Sequence, residues 1–373
     1  MPSFNIEKYL DSLPEDTTHL NLFYKKITYI PSLKRFHNLK ELNCESNKLT
    51  ELHELNACLT VLECGSNQLT KLPELNASLK VLECGSNQLT QLPELNSSLD
   101  YLSCGNNKLI QLPEIKNIYL TDLCCGKNNL TQLPELNDCL KYLSCQYNKL
   151  TRLPELKNSS LLQLYCENNN LTYLPELNDC LEILSCDNNN LTQLPELTNS
   201  LTILHCEYNK LTRLPKLNDC LKYLNCSNNE LTQLPELNDS LEILHCENNH
   251  LIQLPELNGS LVILHCENNH LIKLPQLNCS LVELVCNFNQ LPFNLEYAGG
   301  LTDETRNEFN YKIHCLERFK ELYCLLKFKI QFRDWLWIKV RLPRIQNQFH
   351  PDHLEEILCT VNDEDLDKTL DNW

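Results

Sequence analysis

The sequence predicts an α/β solenoid that is mostly β, with a parallel sheet on a concave face, an extended convex side and a helical segment at the C-terminal end. Three observations predict it. Cysteine recurs at Cys44, Cys64, Cys84, Cys104, Cys125, Cys145, Cys166, Cys186, Cys206, Cys226, Cys246, Cys266 and Cys286, a step of 20 residues that lengthens to 21 only twice. Asparagine follows each of these cysteines at the third position, from Asn47 to Asn289. Around the pair the unit reads L-x-x-L-x-C-x-x-N-x-L-T-x-L-P-E-L-N-x-x. A fixed period of this length marks one architecture repeated rather than several domains.

Taken in order, residues 1–38 form an N-terminal cap and a degenerate leading repeat, marked by Leu20, Leu22, Ile27 and Ile30. Residues 39–298 hold about 13 repeats. In a strand segment such as Leu241–Cys246, alternation sends Leu244 and Cys246 inward, while Ile243, His245 and Glu247 face the other way. Leu241, Leu251, Leu254 and Leu257 fill the rest of the coil, each burial contributing roughly 1.5–3 kcal/mol. A single coil cannot cover its own apolar edge, so stability comes from neighbours. The asparagine, Asn249 in this coil, turns the chain out of the strand and offers its amide to buried backbone groups. The proline-bearing L-P-E-L half is extended, with no room for a helix.

Residues 299–373 read as a helical cap or tail. Thr302 is placed to cap a helix, with Glu304 and Thr305 in its first turn. Phe309, Ile313, Leu316, Phe319, Tyr323, Leu326 and Ile330 recur at helical spacing and predict one apolar face. Docking on the last coil is the plain expectation for it. The alternative is a basic amphipathic helix resting on a partner or a membrane surface. Residues 306–349 carry 10 Lys and Arg against 4 Asp and Glu, whereas 350–373 carry 1 against 8.

Composition excludes several functions. The 32 basic against 49 acidic residues give a formal charge of −17, which argues against binding a nucleic-acid backbone. The first residues lack the basic-then-apolar order of a secretory signal, and no apolar run reaches the ~18 residues needed to cross a bilayer. A cytoplasmic, reducing setting is therefore expected. In that setting the 22 cysteines are not a disulfide framework. Thirteen of them sit at the inward strand position as small hydrophobes. Cysteines stacked on adjacent coils have parallel Cβ vectors, which makes the disulfide torsion hard to reach. Cys58, Cys139, Cys180, Cys220 and Cys279 occupy a loop position where other copies carry Ser. No phosphate loop, dinucleotide fingerprint or Ser-His-Asp arrangement stands out, so no enzyme activity and no cofactor are expected.

The outward strand positions can be read as rows along the concave face. One row runs Val61, Val81, Tyr101, Asp122, Tyr142, Gln163, Ile183, Ile203, Tyr223, Ile243, Ile263, an apolar and aromatic stripe on a surface expected to be wet. A second includes Ser185, His205, Asn225, His245 and His265, and a third Glu167, Asp187, Glu207, Ser227, Glu247 and Glu267. Apolar surface flanked by polar residues marks a partner site, and tyrosines are favoured at interfaces. The candidate partner-binding residues are Tyr101, Tyr142, Ile183, Ile203, Tyr223, Ile243 and Ile263, rimmed by Glu207, Glu247 and Glu267. The partner expected is a protein that is basic or carries an apolar patch. His245, His265, Glu247 and Glu267 form the repeated stretch HCENNHL and are candidate metal ligands. Copying of a coil accounts for the same letters, and no separate residue is evident to orient the imidazoles, so the expectation is that no metal binds.

The repeat resembles the leucine-rich repeat, in the short form with an L-P-x-L back half seen in bacterial effectors, over about 39–292. The resemblance implies a horseshoe and protein binding. Similar bacterial repeats are joined to ubiquitin ligase domains with a Cys-x-Asp nucleophile. Here the C-terminal cysteines read Cys315-Leu-Glu, Cys324-Leu-Leu and Cys359-Thr-Val, which departs from that pattern and leaves a substrate-recruiting adaptor for a host ligase as an alternative. Residues 332–358, FRDWLWIKVRLPRIQNQFHPDHLEEIL, resemble a tail on proteins of giant DNA viruses that infect amoebae. That likeness implies a viral protein acting in host cytoplasm.

Overall fold

The structure, a computed structural model, describes residues 4–116, 118–156, 160–291 and 298–344 of the chain. Among the described residues, fifteen three-residue strands form one sheet in chain order, with no crossover. Strands β1 (His19–Asn21) to β14 (Glu283–Val285) are parallel, each paired with the next. The solenoid expected from the 20-residue period is therefore present, about 13 turns of it.

Each strand is short because only its central leucine and the cysteine that follows need to point inward. In the Ile243–His245 strand Leu244 is buried and its two neighbours are half-buried; Cys246, just beyond, is buried as well. Successive coils are also joined just past the ladder asparagine by one backbone bond per turn, for example His250 N–H to Leu231 O at 2.9 Å and His270 N–H to Leu251 O at 2.9 Å. No described residue of the proline-bearing half of a coil is helical, as its sequence requires.

The asparagine ladder carries the turn out of each strand. The Asn209 amide donates to the Cys186, Cys206 and Glu207 carbonyls at 3.0, 3.2 and 3.2 Å, and its Oδ1 accepts from Leu191 N–H at 2.9 Å. One side chain thus ties its own coil to the preceding one. The residue before it adopts the left-handed conformation, as in Tyr208 at φ 51° and Phe288 at φ 54°. The signal for this was the frequent Asn or Ser at that position, since Asn tolerates the left-handed region better than most residues. A second asparagine, the one closing L-P-E-L-N, forms its own ladder: Asn76 Nδ2 donates to Asn56 O at 2.8 Å and Asn96 Nδ2 to Asn76 O at 2.8 Å.

All thirteen ladder cysteines are buried free thiols, while Cys58, Cys139, Cys180, Cys220 and Cys279 are exposed. Burial pushes the Cys44 and Cys84 thiols up to about 12, so they stay protonated. Cys206 Sγ–H donates to Asn225 O at 3.3 Å across the coil boundary. A thiol reagent applied to the native protein at pH 8 should therefore label Cys58, Cys139, Cys180, Cys220 and Cys279 quickly and leave the ladder untouched until urea unfolds the array. Fast native labelling of Cys206 would overturn the buried assignment.

Both ends of the sheet are closed by elements the repeat does not encode. At the start α1 (Ile6–Asp11), whose N-terminus Asn5 caps by accepting from Lys8 N–H at 2.9 Å, buries Ile6 and Leu10. At the finish β15 (Ala298–Gly300) pairs antiparallel with β14. Its Ala-Gly-Gly sequence carries no strand signal, and Gly299 sits at φ 147°.

The chain divides into two compact units, 1–306 and 307–373. Helix α2 (Asp303–Leu336) runs on into a π-helical stretch, Trp337–Arg341. Thr302 caps α2 as expected, with reciprocal bonds between Thr305 N–H and Thr302 Oγ1 at 3.2 Å and between Thr302 N–H and Thr305 Oγ1 at 2.9 Å. The single apolar face does not survive. Phe309 and Ile313 are buried and Leu316 is half-buried, but Phe319, Tyr323, Leu326 and Ile330 are exposed. Leu322, Leu325, Phe328 and Phe332 are exposed too, and at 100° per residue they lie off that row, so apolar side chains surround the helix. No helix among the described residues is long and apolar enough to cross a membrane. Most of the tail motif at 332–358 and the acidic stretch 350–373 lie outside the described residues.

Candidate binding face on the concave sheet

Parallel pairing in register converts each sequence row into a physical one. Ile183, Ile203, Tyr223, Ile243 and Ile263 are consecutive register partners, so their side chains form one unbroken, half-buried band. Tyr101 and Tyr142 lie on the same row, but Asp122 stands between them and Gln163 separates Tyr142 from Ile183. The structure thus brings five of the seven apolar candidates together. Tyr142 instead pairs with Tyr165 of the next coil, ring centroids 5.5 Å apart.

An aromatic chain runs along the edge of the band and passes through its Tyr223. His205 packs on Tyr223 at 4.7 Å, Tyr223 on His245 at 5.8 Å, and His245 meets His265 edge-on at 4.5 Å. The Glu207 carboxylate, 3.8 Å from His205 Nδ1, raises the His205 imidazole above its ordinary range, with Asp187 and Glu167 adding to it against the opposing effect of burial. His245 moves the other way, lowered first by burial and then by its neighbour His265. The two histidines are therefore shifted in opposite directions, although the same letter occupies the same position of the repeat.

The acidic rim is continuous only in the second half of the array, apart from Ser227. The position is Glu45 in the first coil, then Gly65, Gly85, Gly105, Gly126 and Gln146, and carboxylates return at Glu167. Burial raises Glu167, Glu247 and Glu267 above the usual carboxylate range. One carboxylate oxygen, Oε2, of each of Glu167, Glu207, Glu247 and Glu267 is shielded and finds no hydrogen-bond partner. Because the folded Glu167 carboxyl binds its proton more tightly than the unfolded one, its ionisation opposes folding. The penalty is absent below the unfolded pKa and grows as pH rises through the folded value. Glu167→Gln, which copies Gln146 of the preceding coil, should accordingly raise the melting temperature at pH 7. That gain should shrink toward pH 4.5; equal melting at both pH values would refute it.

Of the four metal candidates, three converge. The ligand atoms of His245, Glu247 and His265 lie within 4.8 Å of one another, and Glu267 is not part of that group. The orienting residue that sequence reading did not find is Glu283, whose Oε1 lies 3.1 Å from His265 Nε2. The signal was present: Glu283 is a charge at the end of a row that is otherwise apolar from Ile183 to Ile263.

Solved structures with this architecture decide the family. YopM from Yersinia enterocolitica shares 34% identity over 77% of this chain and 67% of its own, with a TM-score of 0.69. YopM from Yersinia pestis, a leucine-rich effector protein, shares 36% over 77% of this chain and 86% of its own, with a TM-score of 0.67. This chain belongs to the leucine-rich repeat proteins. Among these, the functional domain of InlJ from Listeria monocytogenes includes a cysteine ladder; it shares 29% identity over 74% of this chain and 69% of its own, with a TM-score of 0.58. No family model and no curated protein matches the sequence.

Proposed function

We propose that this leucine-rich repeat protein is a non-enzymatic scaffold that holds a protein partner on its concave face. The observation that carries the reading is the unbroken band from Ile183 to Ile263, flanked by the His205–Tyr223–His245–His265 chain. An apolar strip on a rigid sheet, bordered by polar groups, fits the core-and-rim anatomy of interfaces. Glu207, Glu247 and Glu267 each leave a carboxylate oxygen without a partner of their own, which favours Lys or Arg on the partner. Tyr101 and Tyr142 belong to the outer part of the surface, beyond Asp122 and Gln163. Likeness to the leucine-rich effector YopM supports the reading by analogy of fold.

The viral origin, the host-cytoplasmic setting and the adaptor role beside a ubiquitin ligase rest on sequence resemblance alone. The test is affinity capture from eukaryotic lysate with three baits: the full chain, residues 1–298, and a full-length variant with the band altered. A partner held by the first two and lost by the third supports the scaffold and its face. Capture that needs 299–373 would move the function to the tail.

A further inference from the structure

We propose that His245, Glu247 and His265 bind a divalent transition-metal ion of the zinc class, with Glu283 as the residue that orients His265. The inference stands independently of the partner reading. Strand register places His245 directly opposite His265, and Glu247 follows His245 by two residues on the same face. Their ligand atoms span at most 4.8 Å. Ligands bonded to zinc at ~2.0–2.2 Å stand about 3.3 Å apart in a tetrahedral site, so side-chain rotation alone closes the set.

Two observations point to a ligand here, the first shared with Glu167, Glu207 and Glu267 and the second particular to this group. Glu247 Oε2 is shielded from solvent and has no hydrogen-bond partner; an unsatisfied buried acceptor is costly, and a cation beside it removes the deficit. Glu283 lies outside the duplicated stretch, in the following coil, yet its carboxylate sits 3.1 Å from His265 Nε2. A carboxylate accepting from one ring nitrogen fixes the tautomer and leaves the lone pair on the other, which is the second-shell arrangement of metal-binding histidines. A second stacked pair on the same two coils, His250 and His270 at 5.7 Å, belongs to no such group among the described residues and serves as the internal control. Two imidazoles and one carboxylate suit zinc and its first-row neighbours better than calcium or magnesium. With three protein ligands, a further coordination position is left for water or a donor from a bound molecule.

The test uses the full chain without a histidine tag, stripped with EDTA and kept reduced. Zinc chloride is titrated by calorimetry and cobalt(II) by absorption, because thiolate ligation gives cobalt an intense charge-transfer band that nitrogen and oxygen ligands do not. The result expected is one ion per chain and no thiolate band. His245→Gln, Glu247→Gln and His265→Gln should each lose the site, Glu283→Gln should weaken it ~10–100-fold, and His250→Gln/His270→Gln should leave it unchanged. Circular dichroism confirms that each variant is folded, as substitutions of half-buried surface side chains should be. Absence of binding, a thiolate band, or undiminished affinity in folded His245→Gln/His265→Gln would overturn the proposal.

Discussion

Asn209→Ala should lower the stability of the array by about 2–4 kcal/mol, read as a fall in the urea midpoint and a loss of hydrogen-exchange protection at the Leu191 amide. The side chain donates to the Cys186, Cys206 and Glu207 carbonyls and accepts from Leu191 N–H. Alanine removes all four bonds from a position that is 9% exposed, where water cannot replace them without opening the coil. A buried group left unpaired costs about 1–3 kcal/mol, more than the net worth of the bond that served it. Stability in such an array is a sum of coil and interface terms, so the loss at Asn209 falls on its own coil and on the interface with the preceding one. The same change at Asn289, whose bonds are only part-buried at the end of the ladder, should cost less. An unchanged midpoint in Asn209→Ala would show that the ladder does not carry the turn.

Replacing Ile203, Tyr223 and Ile243 together should weaken partner capture by about 100-fold or more, since a central interface residue is worth 2 kcal/mol or more when truncated. The band is half-buried, so Ile203→Thr/Tyr223→Ser/Ile243→Thr is a better probe than aspartate. Threonine keeps the β-branched shape that suits a strand, and the apolar surface is what changes. Melting close to that of the wild type combined with lost capture would locate the site. Retained capture in the folded variant would place it elsewhere, and loss of folding would mean that the band acts chiefly as core.

Nearly all of the array could be read from the chain because each core position is occupied by the same residue type in successive coils. Leu244 and Cys246 were assigned inward by alternation, and both are buried. Thr302 was recognised as a cap from its own chemistry and that of Thr305. The elements that were not legible depend on contacts made once. Ala298–Gly300 becomes a strand only because β14 offers it an open edge. The single apolar face expected of α2 is absent because Leu322, Leu325, Phe328 and Phe332 occupy the other sides of the helix, and they are exposed together with Phe319, Tyr323, Leu326 and Ile330.

The candidate face shows the same division. Sequence alone determined the rows, because a strict period puts every copy of a position in one line; it therefore named Ile183 to Ile263 and the His and Glu columns. Only tertiary structure decided their state. It raised His205 beside Glu207 and lowered His245 by burial and then by its neighbour His265, left the glutamate Oε2 atoms without partners, and brought Glu283 to His265. The physical reason is that a repeat fixes which side chains are neighbours, whereas charge, desolvation and hydrogen bonding depend on what those neighbours are and how closely they approach.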